Sequence, residues 1–247
     1  MLSIGVDWVA LSFVQRTEDM DEIIALIDEK LPHGSFKPKV MAKIEKPSCF
    51  IGNSLEDIVK LSDGIMVARG DLGVECAPED VPLLQKRIID TCRRYGKPVV
   101  VATQMLESMI DTPTPTRAEA SDVATAVFDG ADAIMLSAES AAGKYPEESV
   151  AMQQRIINSV EGDLHYRNSN SLGQTDAIPE NTPADAIITA AKQIADTIKA
   201  KAIVSFSLRG STVLRAAKER PGKYLLSLLS LMSLLFYIYL CIRFFFE

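Results

Sequence analysis

Three short stretches carry side chains suited to handling oxyanion charge. In Val40-Met41-Ala42-Lys43-Ile44-Glu45-Lys46 an apolar run leads into two charges separated by one residue, Lys43 and Glu45. Side chains alternate along a strand, so both point to one face. In Gly64-Ile65-Met66-Val67-Ala68-Arg69-Gly70-Asp71-Leu72-Gly73 a buried-strand pattern ends in an aspartate flanked by glycines. Glycine lets the backbone approach a ligand, and carboxylate oxygen suits a hard cation such as Mg²⁺, which keeps much of its shell from waters and phosphates. In Val99-Val100-Val101-Ala102-Thr103-Gln104-Met105 the run ends in a hydroxyl that can donate or accept a proton. Each has a blander role available: a strand-end salt bridge for Lys43 and Glu45, a turn residue for Asp71, a helix cap for Thr103. Three successive strands offering a polar group at the same end favour a shared site over three separate coincidences. A lysine, two metal-type carboxylates, backbone N–H donors and a hydroxyl suit phosphoryl transfer or enolate stabilisation, where catalysis is mostly positioning and charge neutralisation.

Bringing those residues together requires a repeated βα unit. Runs rich in β-branched residues at 6–14, 40–45, 64–69, 99–104 and 133–137 alternate with helical periodicity over 20–30, 81–94, 117–128 and 146–161. Strand followed by helix implies parallel pairing, and five such units fit a parallel barrel or a doubly wound sheet. In a barrel the C-terminal strand ends surround one mouth, which Lys43, Glu45, Asp71 and Thr103 would share. Thr116 and Glu119 have capping-box spacing at the entry to the helix at 117–128. Residues 162–183, rich in Asn, Ser, Asp and Pro, read as a linker between a first domain, 1–161, and a second that begins at 184. There Pro183 opens a helix over 184–198, and a strand follows at 202–206. Ser207-Leu208-Arg209-Gly210-Ser211-Thr212 then feeds a helix at 213–219. A polar Gly-containing loop at a helix N-terminus can hold an anion, and an ordinary capped helix would look the same.

With 33 acidic and 26 basic residues the net charge is -7, and 47% of the chain is hydrophobic, which is a globular profile. Lys and Arg form no patch, which argues against a nucleic-acid partner. Cys49, Cys76, Cys92 and Cys241 match no zinc or disulfide spacing and read as reduced thiols of a cytoplasmic protein. The N-terminal residues show no secretory signal. From Tyr224 to Glu247, 19 of 24 residues are apolar or aromatic. Residues 224–242 carry no charge and are long enough to cross a bilayer, with Arg215, Lys218, Arg220 and Lys223 ahead of them to keep the body cytoplasmic. The competing account of 222–247 is sequence read past an exon boundary or a frameshift. The abrupt onset and the Leu, Phe, Tyr and Ile bias favour that account.

The motifs resemble those of pyruvate kinase, in order: Met41-Ala42-Lys43-Ile44-Glu45, then Ile65-Met66-Val67-Ala68-Arg69-Gly70-Asp71-Leu72-Gly73-Val74-Glu75, then Ala102-Thr103-Gln104-Met105-Leu106-Glu107-Ser108-Met109. Pro113-Thr114-Pro115-Thr116-Arg117-Ala118-Glu119 and Ala133-Ile134-Met135-Leu136-Ser137-Ala138-Glu139-Ser140 continue the series, and the resemblance, bacterial in flavour, covers residues 3–221. It implies phosphoryl transfer from phosphoenolpyruvate to ADP, giving pyruvate and ATP in glycolysis, with Mg²⁺ and K⁺, in a homo-oligomer that is a tetramer in the family. By the same resemblance Lys43 stabilises the transferring phosphoryl group, and Glu45 and Asp71 bind Mg²⁺. The N–H groups of Gly70 and Asp71 hold the substrate carboxylate, and Thr103 lies on the route that protonates the enolate. Ser207, Arg209, Gly210, Ser211 and Thr212 fall where the family binds a phosphorylated effector.

The implied fold is strands four to eight of a TIM (β/α)8 barrel, followed by the start of an α/β C-terminal domain at 184–221 and an apolar tail, 222–247, unlike the family. The family's first three barrel strands, its lid domain, its potassium ligands and its nucleotide-contacting arginine match nothing in this sequence. The expectation is therefore a fragment with little activity alone. A catalytically inactive membrane-anchored remnant and a Mg²⁺-dependent aldolase or lyase barrel are the alternatives.

Overall fold

The computed structural model describes residues 2–32, 34–163, 166, 182–207, 211–219, 221 and 224–229. The chain divides into two compact units, Met1–Asp163 and Leu164–Glu247. In the first, β1 (Trp8–Val14), β2 (Lys39–Ile44), β3 (Gly64–Ala68), β4 (Val99–Ala102) and β5 (Ala133–Met135) form one parallel sheet in the order β1-β2-β3-β4-β5. A doubly wound sheet reverses its strand order at a switch point. This order runs straight through, each strand beside the next in sequence.

The helices of this unit are α1 (Thr17–Lys30), α2 (Ser54–Leu61), α3 (Arg69–Glu75), α4 (Val81–Tyr95), α5 (Arg117–Asp129), α6 (Ala138–Ala141) and α7 (Pro146–Gly162). The sequence pattern finds α1, α4, α5 and α7. It misses α2 and α6, which are too short for a periodic signal, and reads the glycine-punctuated α3 as a loop. Helices and sheet meet on one face, where Val40, Ala42, Ile44, Ile65, Val67, Val99 and Val101 are all buried. They share a cluster with Met20 and Ile27 of α1, Leu55 and Ile58 of α2, Ile88 and Ile89 of α4, and Val123 of α5. Fully burying each such side chain is worth roughly 1.5–3 kcal/mol, which drives the packing. Two aspartates seal the strand starts. Asp63 accepts from the Val40 N–H at 2.9 Å, and Asp132 from the Val99 N–H at 2.8 Å. The opposite face carries Ser12, Lys43, Met66 and Val100, with Lys43 beside Met66 and Met66 beside Val100 in register.

In the second unit, Thr182 caps α8 (Pro183–Thr197) by accepting from the Asp185 N–H. The strand β6 (Ala202–Ser207), the helix α9 (Ser211–Lys218) and the strand β7 (Tyr224–Leu229) follow. β6 and β7 pair in parallel from Ala202↔Tyr224 to Ser207↔Leu229. The start of the apolar stretch is thus a paired strand, whose hydropathy alone cannot be told from that of the run behind it. What remains of the uncharged run, residues 230–242, lies outside the described residues and is shorter than the roughly 20 residues a spanning helix needs. Among the described residues no helix is long and apolar enough to cross a membrane. Cys49 and Cys92 are buried and Cys76 half-buried, all as free thiols, and Cys241 lies outside the described residues.

Candidate active site

β1 reaches the site through a bulge. Leu11 pairs with Ala42 and Val14 with Ile44, so three steps on β1 span two on β2. Phe13 lies in the bulge with φ 59°, a left-handed backbone that costs a non-glycine residue roughly 1–3 kcal/mol. Bulges re-aim the groups beside them. Here Ser12 Oγ accepts from Lys43 Nζ at 2.9 Å, and the Phe13 N–H donates to Glu45 Oε2 at 2.7 Å. Lys43 Nζ lies 2.6 Å from Glu45 Oε1, and the Glu45 side chain is 0% exposed against 21% for Lys43. That contact is one of charge alone, because Oε1 receives no hydrogen bond. The pair is therefore no solvated strand-end salt bridge. It is a carboxylate shut away from water, with Oε2 held by the Phe13 N–H and Oε1 set against the Lys43 ammonium.

The next strand passes straight into a helix, Ala68 ending β3 and Arg69 starting α3. Asp71 sits exposed in the first turn, where the helix dipole favours a carboxylate, and makes no ion pair or side-chain hydrogen bond among the described residues. The Gly70 N–H donates to Thr103 Oγ1 at 2.8 Å, and the Thr103 hydroxyl donates to the Ala102 carbonyl at 2.6 Å. A Cβ on Gly70 would stand 3.3 Å from Thr103 Oγ1, a tight approach that the hydroxyl would have to ease by a few tenths of an ångström. Thr103 and Gln104 are both left-handed, with φ 71° and 53°.

Arg69 holds that unfavourable pair in place. Buried at 8% exposure, it donates through Nη2 to the carbonyls of Thr103 at 2.7 Å and Gln104 at 2.9 Å, and through Nη1 to the Asp122 carboxylate at 2.7 Å. Glu139, also buried, accepts from the Leu106 N–H at 3.1 Å and the Ser137 N–H at 2.8 Å, tying the segment after β4 to the segment after β5. Glu119 closes the expected capping box with Thr116 and also accepts from the Ser108 hydroxyl and N–H. Burial raises the Glu119 pKa, but these donors outweigh it and hold the carboxyl below its usual range.

Of the residues singled out by sequence, Lys43 touches Glu45, and Gly70 touches Thr103. The register stands the two contacts at the same end of three adjacent strands, since Ile44 pairs with Val67 and Val67 with Val101. No cluster of three or more His, Cys, Asp and Glu side chains is gathered among the described residues. Two carboxylates, one with a buried oxygen lacking a hydrogen bond and one unpartnered at a helix start, nevertheless fit a hard cation that takes most of its shell from elsewhere. In the second unit Ser207 ends β6, and Ser211 and Thr212 open α9, whereas Arg209 and Gly210 lie outside the described residues. The bulge at Ser12 and Phe13 left no signal in the sequence, because nothing marks a phenylalanine for a left-handed backbone. Arg69 did leave one, a cation at the end of an apolar strand.

A family model described as pyruvate kinase, barrel domain, matches residues 1–150. A pyruvate kinase of Agrobacterium vitis is 51% identical over 227 residues, which cover 92% of this chain and 45% of that protein. One from Methylorubrum extorquens is 52% identical over 227 residues, again 92% and 45%. The crystal structure of a pyruvate kinase from Cryptosporidium parvum superposes with a TM-score of 0.83 at 38% identity, covering 92% of this chain and 46% of that one. The chain spans under half the length of these relatives. A match of 227 residues is also longer than the stretch 3–221, so the likeness takes in part of β7. A barrel-domain match over more than half the chain falls on the same strand ends that gather Lys43, Glu45, Gly70 and Thr103, and on both counts the chain belongs to the pyruvate kinase family.

Proposed function

We propose that this chain forms the phosphoenolpyruvate- and Mg²⁺-binding part of a pyruvate kinase, which moves the phosphoryl group of phosphoenolpyruvate to ADP to give pyruvate and ATP. The observation that carries this is the Lys43 ammonium 2.6 Å from a fully buried Glu45 carboxylate at the mouth of a parallel sheet. The five strands, in unbroken order, are read as strands four to eight of an eight-stranded barrel, with the second unit as the beginning of the C-terminal domain. Lys43, oriented by Ser12 Oγ, presents its ammonium to the transferring phosphoryl group. Glu45 and Asp71 would hold Mg²⁺, which when bound neutralises charge on substrate oxygens.

Thr103 is positioned to handle the proton. Its hydroxyl hydrogen rests on the Ala102 carbonyl while its lone pair takes the Gly70 N–H, so it must swing off Ala102 to reach an enolate carbon. Freeing the Gly70 N–H, beside that of Asp71, for the substrate carboxylate requires the oxygen itself to move, by rotation about the Thr103 Cα–Cβ bond. Proton delivery and carboxylate binding are then linked through one hydroxyl. Potassium and the homo-oligomeric assembly enter through the family alone, with no residue of this chain assigned to either. Ser207, Arg209, Gly210, Ser211 and Thr212 are proposed to hold an effector phosphate.

The test is binding of Mn²⁺, a paramagnetic stand-in for Mg²⁺, followed by electron paramagnetic resonance with and without oxalate, which resembles the enolate. Mn²⁺ should bind more tightly with oxalate present, and Glu45→Gln and Asp71→Asn should each weaken it at least about tenfold, the loss expected when a close charge–charge contact is removed. Affinity unchanged in both variants would sink the assignment.

A further inference from the structure

We propose that Lys46 is a positioning residue that fixes the Glu45 and Asp71 carboxylates relative to each other. The proposal rests on the assignment of those two groups to Mg²⁺. Lys46 follows Glu45 directly and sends its ammonium in two directions. Nζ lies 2.6 Å from Glu75 Oε1, and Glu75 ends α3, the helix whose first turn carries Asp71. The same Nζ lies 5.3 Å from the centroid of the Phe13 ring, within cation–π range. Phe13 is the residue whose N–H holds Glu45 Oε2. One ammonium thus touches both the bulge that orients the first carboxylate and the helix that bears the second.

The arrangement accounts for an otherwise odd residue. Phe13 is 54% exposed, so burial does not explain its ring, and its backbone is left-handed, which glycine would adopt without strain. A glycine there would make the bulge but offer Lys46 no ring. Backbone strain retained where a smaller residue would relieve it points to a use for the side chain. Lys46 is only 24% exposed and Glu75 39%, so the tie is partly sheltered and less screened than a free surface pair.

The experiment is Mn²⁺ titration of the whole chain by electron paramagnetic resonance, alongside thermal melting and hydrogen exchange at the Phe13 amide. Lys46→Met and Glu75→Gln should each weaken Mn²⁺ binding about three- to tenfold, the range set by one cation–π contact and one partly exposed ion pair. The double variant should be no worse than the poorer single one. Lys46→Arg should restore binding, melting temperatures should move little, and Lys46→Met should speed exchange at Phe13 about tenfold, in line with loss of one such contact. Wild-type Mn²⁺ affinity in Lys46→Met and Glu75→Gln, with binding lost in Glu45→Gln, refutes the role of Lys46 and leaves the metal assignment standing. Binding that Glu45→Gln leaves intact refutes the metal assignment instead. Unchanged exchange at Phe13 in Lys46→Met overturns the proposal whether or not the metal binds.

Discussion

Arg69→Met tests whether a buried guanidinium is what keeps the Thr103 hydroxyl in place. Arg69 bonds two carbonyls, Thr103 and Gln104, that have no helix or strand partner to fall back on. A hydrogen bond from a charged donor contributes roughly 1.5–3 kcal/mol, so losing two removes about 3–6 kcal/mol. The Asp122 side chain is 36% exposed and can rehydrate, so it adds little. Release of the left-handed pair at 103 and 104 returns roughly 1–2 kcal/mol for each residue, about 2–4 in all. The net loss is about 1–2 kcal/mol, a measurable share of the roughly 5–15 kcal/mol that holds a domain folded. Urea unfolding followed by circular dichroism reads it directly. Arg69→Lys keeps one ammonium for one carbonyl and should lose about half as much. A loss below about 1 kcal/mol in Arg69→Met would show that the turn holds itself, and the clamp would then be incidental.

Three further outcomes follow from the same contacts. Lys43→Met leaves the buried Glu45 carboxylate without its cation and should destabilise the chain by about 3 kcal/mol, and adding Glu45→Gln should recover most of that, both read by urea midpoints. The Glu119 carboxyl is held below its ordinary 4.5, so its contribution is present above that value and lost as pH falls through the lower folded one. The stability gap between wild type and Glu119→Gln should therefore be full at neutral pH and close in strong acid, and a gap that widens on acidification would contradict the contacts. Burial pushes the Cys49 thiol up to about 11 and its Sγ donates to the Val14 carbonyl, so iodoacetamide at neutral pH should modify Cys76 well before Cys49, as peptide mass mapping would show.

The parallel βα repeat was legible because the central strands β3 and β4 are apolar runs of four or more residues bounded by polar punctuation, as in Gly64–Ala68 between Asp63 and Arg69. The site was legible for the same reason, since a charge or hydroxyl at the end of such a run stands out. What escaped was conformation without composition. Phe13, Thr103 and Gln104 take left-handed backbones that no local residue announces, and each depends on a partner more than thirty positions away: Glu45 for Phe13, and Arg69 for the other two. Tyr224–Leu229 escaped for the opposite reason. Its composition continues into the apolar residues behind it, and only pairing with β6 marks it off as a strand.

The extra residue in β1 has a consequence for chain length. Leu11 and Val14 both face the helix-covered side, opposite Ala42 and Ile44, although they are an odd number of positions apart. Strict alternation would turn one of them outward. Deleting either Ser12 or Phe13 would remove the extra residue and leave Leu11 and Val14 two positions apart, so regular alternation would keep Val14 in the core. What would go is the bulge itself, and with it the placement of the Ser12 hydroxyl on Lys43 and of the Phe13 N–H on Glu45. A single-residue deletion here should therefore spare the fold and damage the site, and a length count across residues 11–14 is a sharper mark of an intact site than the identity of the residues between.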